Sequence, residues 1–190
     1  VRGESFEITE VSKRDAAAEK TSLNKALASA RAELNDLVAQ VKAQADASRA
    51  AIFTAHQELL EDPDLIAMAN SVIDQGKTAA FAWNKASEEH ASRLSRLNNE
   101  LLANRANDLR DVSRRVLTQL VPKTSTRPST LPENAILIAE NLTPSETVQL
   151  DRSKVVGFCT TTGGATSHVA ILARSLGLPA LAGADENVLK

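Results

Sequence analysis

The sequence predicts an α+β/α/β protein in which a four-helix bundle, over residues 15–121, is inserted into a small α/β domain. Three observations lead to this fold class. Long stretches before residue 122 carry apolar residues at helical spacing. Residues 122–134 hold three prolines with several Ser and Thr, which is typical of a linker. Residues 135–190 then alternate short apolar runs with a helical pattern, which favours an α/β unit with a partly parallel sheet.

The first half of the bundle is predicted from apolar spacing and from capping residues. A long amphipathic helix is expected between Asp15 and Asp46, where no proline or glycine occurs, and a second helix over residues 49–60. Asp62 is the expected N-cap of a third helix, over residues 64–75, with Pro63 in its first turn. The apolar stripe of the first helix consists of Leu23, Leu27, Ala30, Leu34, Leu37 and Val41.

The second half of the bundle follows Gly76, a candidate C′ residue. A helical segment is predicted from Thr78, and a last helix is predicted to run on to Pro122, which stops it. The stripe that predicts one continuous last helix consists of Leu94, Leu97, Leu101, Leu109, Val112, Val116 and Leu120.

The α/β domain is predicted to hold strands over residues 135–139 and 155–159, with a helix beginning near residues 143–146. Residues 1–14 are assigned to this domain because Phe6–Thr9 has the composition of a further strand. That strand makes the helical bundle an insertion.

Charge and cysteine usage limit the classes of partner. The formal net charge is −2, so no polybasic footprint for nucleic acid or an anionic membrane is present. The single cysteine, Cys159, has no partner for an internal disulfide, and no apolar run is long enough to cross a bilayer. We therefore expect a cytoplasmic protein with no nucleic-acid or membrane partner.

The segment that carries chemistry is TTTGGATSH, residues 160–168, between a predicted strand and a predicted helix over residues 169–176. Gly163 and Gly164 allow a turn that approaches an anion closely, and Thr166 or Ser167 can cap the helix. His168 then lies in the first turn, where free N–H groups and the helix dipole favour negative charge. A phosphoryl group carried on its imidazole fits this environment.

Other interpretations of this turn remain open at this point. A histidine near a helix N-terminus is often a surface or capping residue. The turn lacks the lysine of a GxxxxGK[ST] phosphate loop and the flanks of a GxSxG elbow. His168 has no second His or Cys at a ligand spacing, so no metal site is predicted.

The segment GGATSHVAILAR resembles the GGxTSHxAIxAR signature of phosphoenolpyruvate-utilising enzymes, in which the histidine of a swivelling domain is phosphorylated. Enzyme I of the sugar phosphotransferase system, pyruvate phosphate dikinase and phosphoenolpyruvate synthase share it. Three further segments resemble enzyme I or the enzyme I-like module of a multiphosphoryl transfer protein: AIFTAHQELLEDPDL at 51–65, NRANDLRDVSRRVL at 104–117 and LTPSETVQL at 142–150.

This resemblance implies a phosphotransferase module that exchanges a phosphoryl group with the histidine of HPr or an HPr-like domain. His168 is the implied phosphoacceptor and Thr147 its implied hydrogen-bond partner. The implied phosphate-binding residues are Gly163, Gly164, Thr166, Ser167 and Arg174. The implied HPr-facing residues are His56, Leu59, Leu60, Asp64 and Arg105, with the two leucines as an apolar anchor.

The resemblance also implies which ligands bind to other domains of the protein. No cofactor is expected in it, because Mg²⁺ and phosphoenolpyruvate belong to a further domain of the full-length protein in this family. The chain departs from the family at Thr161, where aspartate is usual, and at Ala47 and Ser48, where acidic residues are usual. Two alternatives are a swivelling domain of a dikinase- or synthase-like enzyme and a non-catalytic helical interaction module.

Overall fold

The computed structural model describes residues 6–44, 47–97, 100–121, 132–140, 142, 147, 151, 153–164, 170–171, 173–174 and 177–189. They belong to two compact units, one within Phe6–Lys123 and one within Thr124–Lys190, which we call the helical unit and the sheet unit. The boundary falls beside the predicted linker, most of which lies outside the described residues.

The described part of the helical unit contains five α-helices: α1 (Ala16–Gln44), α2 (Ala47–Leu60), α3 (Pro63–Ile73), α4 (Ala79–Arg96) and α5 (Glu100–Leu120). The predicted helical part is confirmed, but the prediction of one continuous last helix is wrong. Leu97 takes an extended conformation (φ −74°, ψ 122°) at the end of α4 and is 52% exposed. Asn98 and Asn99, which are poor helix formers, follow it in the sequence. The apolar stripe is therefore shared between α4 and α5.

The helical core follows the predicted stripe of α1, whose Leu23, Ala30 and Leu34 are fully buried. Trp83 of α4 is also fully buried, and its indole N–H donates to the Ser113 carbonyl of α5 at 3.3 Å. Burying apolar side chains at i, i+3 and i+4 positions against neighbouring helices is the main source of stability in such bundles. The side chain of Val41 lies outside the described residues.

Two helix starts are capped by side chains, and the cap at Asp62 confirms the prediction. Asp62 takes an extended conformation before α3, and its carboxylate accepts from the backbone N–H groups of Asp64 (2.9 Å) and Leu65 (3.2 Å). Thr78 caps α4 by accepting from the N–H of Phe81 at 3.1 Å. Gly76 has φ +80°, which confirms a left-handed residue after α3, although the helix itself ends at Ile73.

Phe6–Thr9 is not a strand of the sheet, contrary to the sequence prediction. Residues 6–10 have no strand conformation, and Val11 forms only an isolated antiparallel bridge with Lys77. Hydrogen bonds from Ser12 N–H to Gly76 O and from Thr78 N–H to Glu10 O, both 3.0 Å, pair this segment with the α3–α4 loop. The apolar residues Phe6 and Ile8 predicted a strand, but they carry no information about its pairing partner. The partner of the residues that follow them is a loop of the helical unit.

Among the residues of the sheet unit that the structure describes, there are three parallel strands in the order β1 (Ala135–Ala139), β2 (Val155–Thr160) and β3 (Ala180–Ala182). The two predicted strands and the parallel arrangement are confirmed. The buried cluster consists of Ala139, Leu142, Phe158 and Ala173, and the partly buried Leu137 of β1 packs against it. A short 3₁₀-helix, Glu186–Leu189, follows β3.

Gly157 lets β3 begin close to β2. A Cβ atom at Gly157 would lie 2.9 Å from the carbonyl oxygen of Pro179, which accepts from the Phe158 N–H at 3.0 Å. Any side chain at this position would push the two strands apart. Among the described residues, no helix has the length and the apolar run that crossing a bilayer requires. The predicted helix start at residues 143–146 lies outside the described residues.

Candidate functional site

The candidate site is the glycine turn after β2, at the carboxyl edge of the sheet. Parallel strands place their carboxyl ends at one edge, which is where open α/β sheets bind ligands. Glu140 follows β1, residues 161–164 follow β2, and Gly183 follows β3. The Ala184 N–H donates to the Thr160 carbonyl at 3.0 Å, which ties the end of β3 to the end of β2.

The chain leaves β2 through hydrogen bonds made by three consecutive threonines. The N–H of Thr161 donates to Ala139 O at 3.2 Å, and the N–H of Thr162 donates to Glu140 O at 3.0 Å. The hydroxyl of Thr162 also donates to Glu140 O, at 2.8 Å. The hydroxyl of Thr160, which is 2% exposed, donates to Thr162 O at 2.9 Å. The start of the turn is thereby fixed to the end of β1.

The two predicted glycines are exposed at the edge. Gly163 has φ +86°, a conformation that favours glycine, whereas nothing lies within 4 Å of a Cβ placed on Gly164. Gly183, with φ +74°, approaches this turn so closely that its Cβ would lie 3.3 Å from the Gly163 carbonyl oxygen. Backbone groups from two strand ends therefore meet around an open glycine turn.

Three predicted site residues, Thr166, Ser167 and His168, lie outside the described residues. Residues 170, 171, 173 and 174 of the segment that follows them are helical. It closes as a Schellman motif, in which Leu178 N–H donates to Ala173 O at 2.9 Å and Gly177 N–H to Arg174 O at 3.2 Å. The predicted order of strand, glycine turn and helix ending at Gly177 is confirmed in these residues.

Two further predicted residues belong to the sheet unit. Arg174 is exposed on the helix after the turn, where its guanidinium is accessible to an anion. Thr147 is helical and fully buried, so it faces the interior of the protein rather than solvent. Their roles toward His168 stay predictions.

The predicted partner face on α2, α3 and α5 is only partly a surface. Asp64 is exposed, and the Arg105 side chain is 40% exposed with its guanidinium 3.7 Å from the Glu58 carboxylate. Leu59 and Leu60 are 7% and 3% exposed, so the expected apolar anchor is wrong: both side chains belong to the helical core. The sequence pattern identified them as apolar without showing which side of α2 is covered.

His56 is likewise buried, at 1% exposure, and cannot face a partner directly. Its Nε2 lies 3.4 Å from Oδ1 of Asp108, and its Nδ1 lies 3.7 Å from Oδ2 of Asp111. Both aspartates are buried, with 5% of each residue exposed. The prediction of a partner-facing His56 is therefore wrong, because the ring lies in the core beside two acidic residues of α5.

The sequence analysis missed both this buried cluster and the threonine hydrogen bonds. The sequence did contain a signal for the cluster. Asp108 and Asp111 are three residues apart and are therefore neighbours on a helix, and each is adjacent in the sequence to a residue of the apolar stripe, Leu109 or Val112. The run Thr160–Thr162 before the glycines was a signal for side-chain hydrogen bonds to the backbone.

Two carboxyl groups away from the turn have shifted pKa values. The hydroxyl and the N–H of Ser153 donate to Asp151 before β2 and lower the pKa of that carboxyl. The hydrogen bond and charge of Lys77 lower the pKa of Glu10. Both groups are ionised more readily than usual, and neither lies at the glycine turn.

Two other kinds of site can be compared with the glycine turn: a metal site and a cleft. No three His, Cys, Asp or Glu side chains there come together so as to hold a metal ion. An open cleft of about 460 Å³ in the helical unit is lined by four charged residues, Glu7, Arg14, Glu19 and Lys25, and two of them are held by hydrogen bonds within the unit. Arg14 donates to Ser22 and to Ala18 O, and Glu19 accepts from Ser12 and from Ala79 N–H.

Comparison with protein families matches two models to the chain. Residues 1–105 match "PEP-utilising enzyme, N-terminal", and residues 131–190 match "PEP-utilising enzyme, mobile domain". The second match contains the whole glycine turn and the helix after it.

Curated relatives and solved structures agree with these matches. A multiphosphoryl transfer protein of Rhodobacter capsulatus is 43% identical over 86% of this chain, and one of Xanthomonas campestris pv. campestris is 46% identical over 88%. A phosphoenolpyruvate-protein phosphotransferase of Staphylococcus carnosus is 39% identical over 89%. This chain spans 20% of the first two relatives and 30% of the third.

A solution structure of enzyme I (nEIt) is similar with a TM-score of 0.71 and 36% identity, over 95% of this chain and 73% of that one. The N-terminal domain of Enzyme 1 - Nitrogen is similar with a TM-score of 0.68 and 30% identity, over 97% of this chain and 77% of that one. The predicted combination of a helical bundle with a small parallel sheet is confirmed.

Proposed function

Since the chain belongs to the family of PEP-utilising enzymes, we propose that it is a phosphoryl-transfer module. In this proposal His168 carries the phosphoryl group and exchanges it with a histidine of HPr or an HPr-like domain. The supporting observation is the glycine turn, which lies at the carboxyl edge of the sheet within the segment that matches the family's mobile domain.

The transfer itself needs little chemistry from the protein. The bond between phosphorus and the donor imidazole breaks, the electron pair returns to that ring, and a ring nitrogen of His168 forms the new bond to phosphorus. Catalysis then consists of in-line positioning and stabilisation of charge. The backbone around Gly163 and Gly164 and the cationic Arg174 are the groups of the sheet unit that we assign to the phosphoryl oxygens, together with Thr166 and Ser167. Thr147 is assigned the hydrogen bond that holds His168.

The carrier protein is proposed to contact the exposed charges of α2, α3 and α5. Glu58, Glu61 and Asp64 are exposed, and Arg105 lies beside Glu58. A surface that carries charges of both signs raises the rate of association and orients the partner more than it increases the affinity. Because Leu59, Leu60 and His56 are buried, they support this face from beneath and do not touch the carrier.

In this proposal the chain itself carries no cofactor. The proposal places phosphoenolpyruvate and its metal on a further domain of a longer protein, and the exchange in the cytoplasm. The isolated chain is expected to exchange phosphate with HPr without using phosphoenolpyruvate directly.

The experiment is phosphoryl exchange between this chain and phosphorylated HPr at neutral pH. Intact mass and fragmentation would locate any acid-labile, base-stable phosphate, with His168→Ala as the test variant and His90→Ala as the matched control. We expect label on His168 in the wild type and in His90→Ala, and no label in His168→Ala. A folded wild-type chain that takes no label, or label at another residue, would contradict the proposal.

A further inference from the structure

The open cleft of the helical unit brings together parts of the chain that are far apart in the sequence. Its walls come from Glu7 and Thr9 before α1, from the first half of α1, from the start of α4 and from the end of α5. Its volume of about 460 Å³ lies within the range of roughly 300–1,000 Å³ that is typical of small-molecule sites. None of the residues described at the glycine turn lines this cleft.

Two cationic side chains of the cleft lie about one helical turn apart. The Arg14 guanidinium reaches over the first turn of α1 and donates to the Ser22 hydroxyl and to the Ala18 carbonyl, both at 3.0 Å. Lys25 follows Ser22 by three residues, so it lies on the same side of α1 at the next turn. Within the described part of the chain, neither cation forms an ion pair with an acidic side chain. Like charges at this spacing repel each other, and an anion between them would replace that repulsion by attraction.

The acidic residues of the cleft leave these two charges unneutralised. Glu19 is buried, and its two carboxylate oxygens accept from the Ser12 hydroxyl at 2.7 Å and from the Ala79 N–H at 2.9 Å. Glu7 is exposed on the opposite wall and has no ion-pair partner among the described residues. The Glu19 charge is therefore satisfied by other donors.

Both cations also keep most of their hydrogen-bond donors. A guanidinium has five N–H groups, of which Arg14 uses two for Ser22 and Ala18. The Lys25 ammonium has no acceptor among the described residues, and Ser29, one turn further along α1, adds a hydroxyl to the same cleft. A fork of N–H groups beside a compact ammonium matches the oxygens of a phosphate group, which carries about −1.5 to −2 charge at neutral pH.

We propose that this cleft is a binding site for a small phosphate-bearing anion, which is held between Arg14 and Lys25. The site lies in the helical unit and uses no residue of the glycine turn, so it does not depend on the proposed function. A ligand that binds the folded cleft and not the unfolded chain stabilises the helical unit in proportion to its concentration.

Inorganic phosphate is the probe, titrated into the ¹⁵N-labelled chain at constant pH and ionic strength, with acetate and chloride as comparison anions. Phosphate is expected to shift the backbone signals of Ser22, Lys25 and Ala80 in a saturable way, and the other two anions much less. His168→Ala is expected to bind phosphate with unchanged affinity. Phosphate that shifts only the signals of Gly163 and Gly164, or acetate that binds as tightly as phosphate, would overturn the inference.

Lys25→Gln removes one charge without breaking a described contact, and we expect it to weaken phosphate binding about fivefold. Arg14→Gln is expected to weaken it roughly tenfold or more. Arg93→Gln is the matched control, because it removes an exposed charge on α4 roughly 20 Å along the helix from Ala79.

Circular dichroism and thermal unfolding would verify that each variant folds. Arg14→Gln also loses the bonds to Ser22 and Ala18, so Lys25→Gln carries the test if that variant unfolds. An equal loss of affinity in Lys25→Gln and Arg93→Gln would show that general surface charge attracts the anion, and it would overturn the inference. Unchanged affinity in Lys25→Gln would do the same.

Discussion

Nε2 of His56 lies 3.4 Å from Oδ1 of Asp108, inside the core of the helical unit. The imidazole ring joins α2 to α5, since Asp111 of α5 faces its other nitrogen at 3.7 Å. Phe53 of α2 contacts the ring edge-to-face, with ring centroids 5.7 Å apart. Buried polar groups of this kind are costly to disturb, because the remaining partners stay in a medium of low polarity.

His56→Ala is expected to lower the free energy of unfolding by about 3 kcal/mol or more, because it removes a packed ring and the group between two buried carboxylates. Urea denaturation at neutral pH, followed by circular dichroism, measures the change. His90→Ala serves as the control. His90 is half-buried on α4, and its replacement is expected to lower the free energy of unfolding by about 1 kcal/mol or less. Equal losses in the two variants would show that the cluster contributes no special stability.

Asp62→Ala is expected to destabilise the helical unit by about 1 kcal/mol, because the N–H groups of Asp64 and Leu65 lose their acceptor at the start of α3. Asp62→Asn keeps an acceptor oxygen and is expected to lose only a small part of that stability. The midpoint of denaturant unfolding tests both variants. If Asn and Ala lower the midpoint equally, the contribution of Asp62 comes from its charge and not from the cap.

Gly183→Ala is expected to be more destabilising than Gly177→Ala. Both glycines have positive φ, +74° and +68°, so each substitution carries a backbone cost of about 1 kcal/mol or more. At Gly177 nothing lies within 4 Å of the new Cβ, whereas at Gly183 it lies 3.3 Å from the Gly163 carbonyl. Thermal unfolding compares the stability losses of these variants. Gly164→Ala is the control, because nothing lies within 4 Å of a Cβ at Gly164. A larger loss at Gly177 would contradict the close approach of the two turns.

Asp151 is expected to titrate below the ordinary aspartate range because the Ser153 hydroxyl and N–H both donate to its ionised carboxylate. A lowered folded pKa contributes stability that is fully present above the ordinary aspartate pKa of about 3.9 and is lost as the pH falls through the folded value. Ser153→Ala removes one donor, so the pKa should rise part of the way back. Ser153→Thr should keep it low. Carboxyl ¹³C shifts recorded against pH test this, and identical titrations in the three proteins would refute it.

The sequence allowed most of the architecture to be predicted where one local pattern had one physical cause. The spacing of Leu23, Ala30 and Leu34 identified the buried face of α1, and Asp62 with Pro63 located the start of α3. The run of five apolar residues at 135–139 identified β1. Each of these signals lies within a few residues of the feature that it predicts.

The sequence was less informative where an element depends on a distant partner. Leu97 continues the apolar spacing of α4, yet the helix ends there and the side chain is exposed. Phe6–Thr9 has a strand-like composition, but pairing of the following residues with the α3–α4 loop decides its conformation. Neither outcome is contained in the local pattern.

By itself, the sequence determined the family, the glycine turn and the identity of the candidate phosphoacceptor, because a contiguous motif of specific residues carries all three. Only the tertiary structure decided which side chains are accessible. It buried His56, Leu59 and Leu60, left Asp64 exposed and left Arg105 half-buried. It also brought the Glu140 carbonyl to Thr162, more than twenty residues away in the chain, through the parallel pairing of β1 with β2. Burial and long-range hydrogen bonds depend on how separate elements pack, and that information is not local to any segment of the chain.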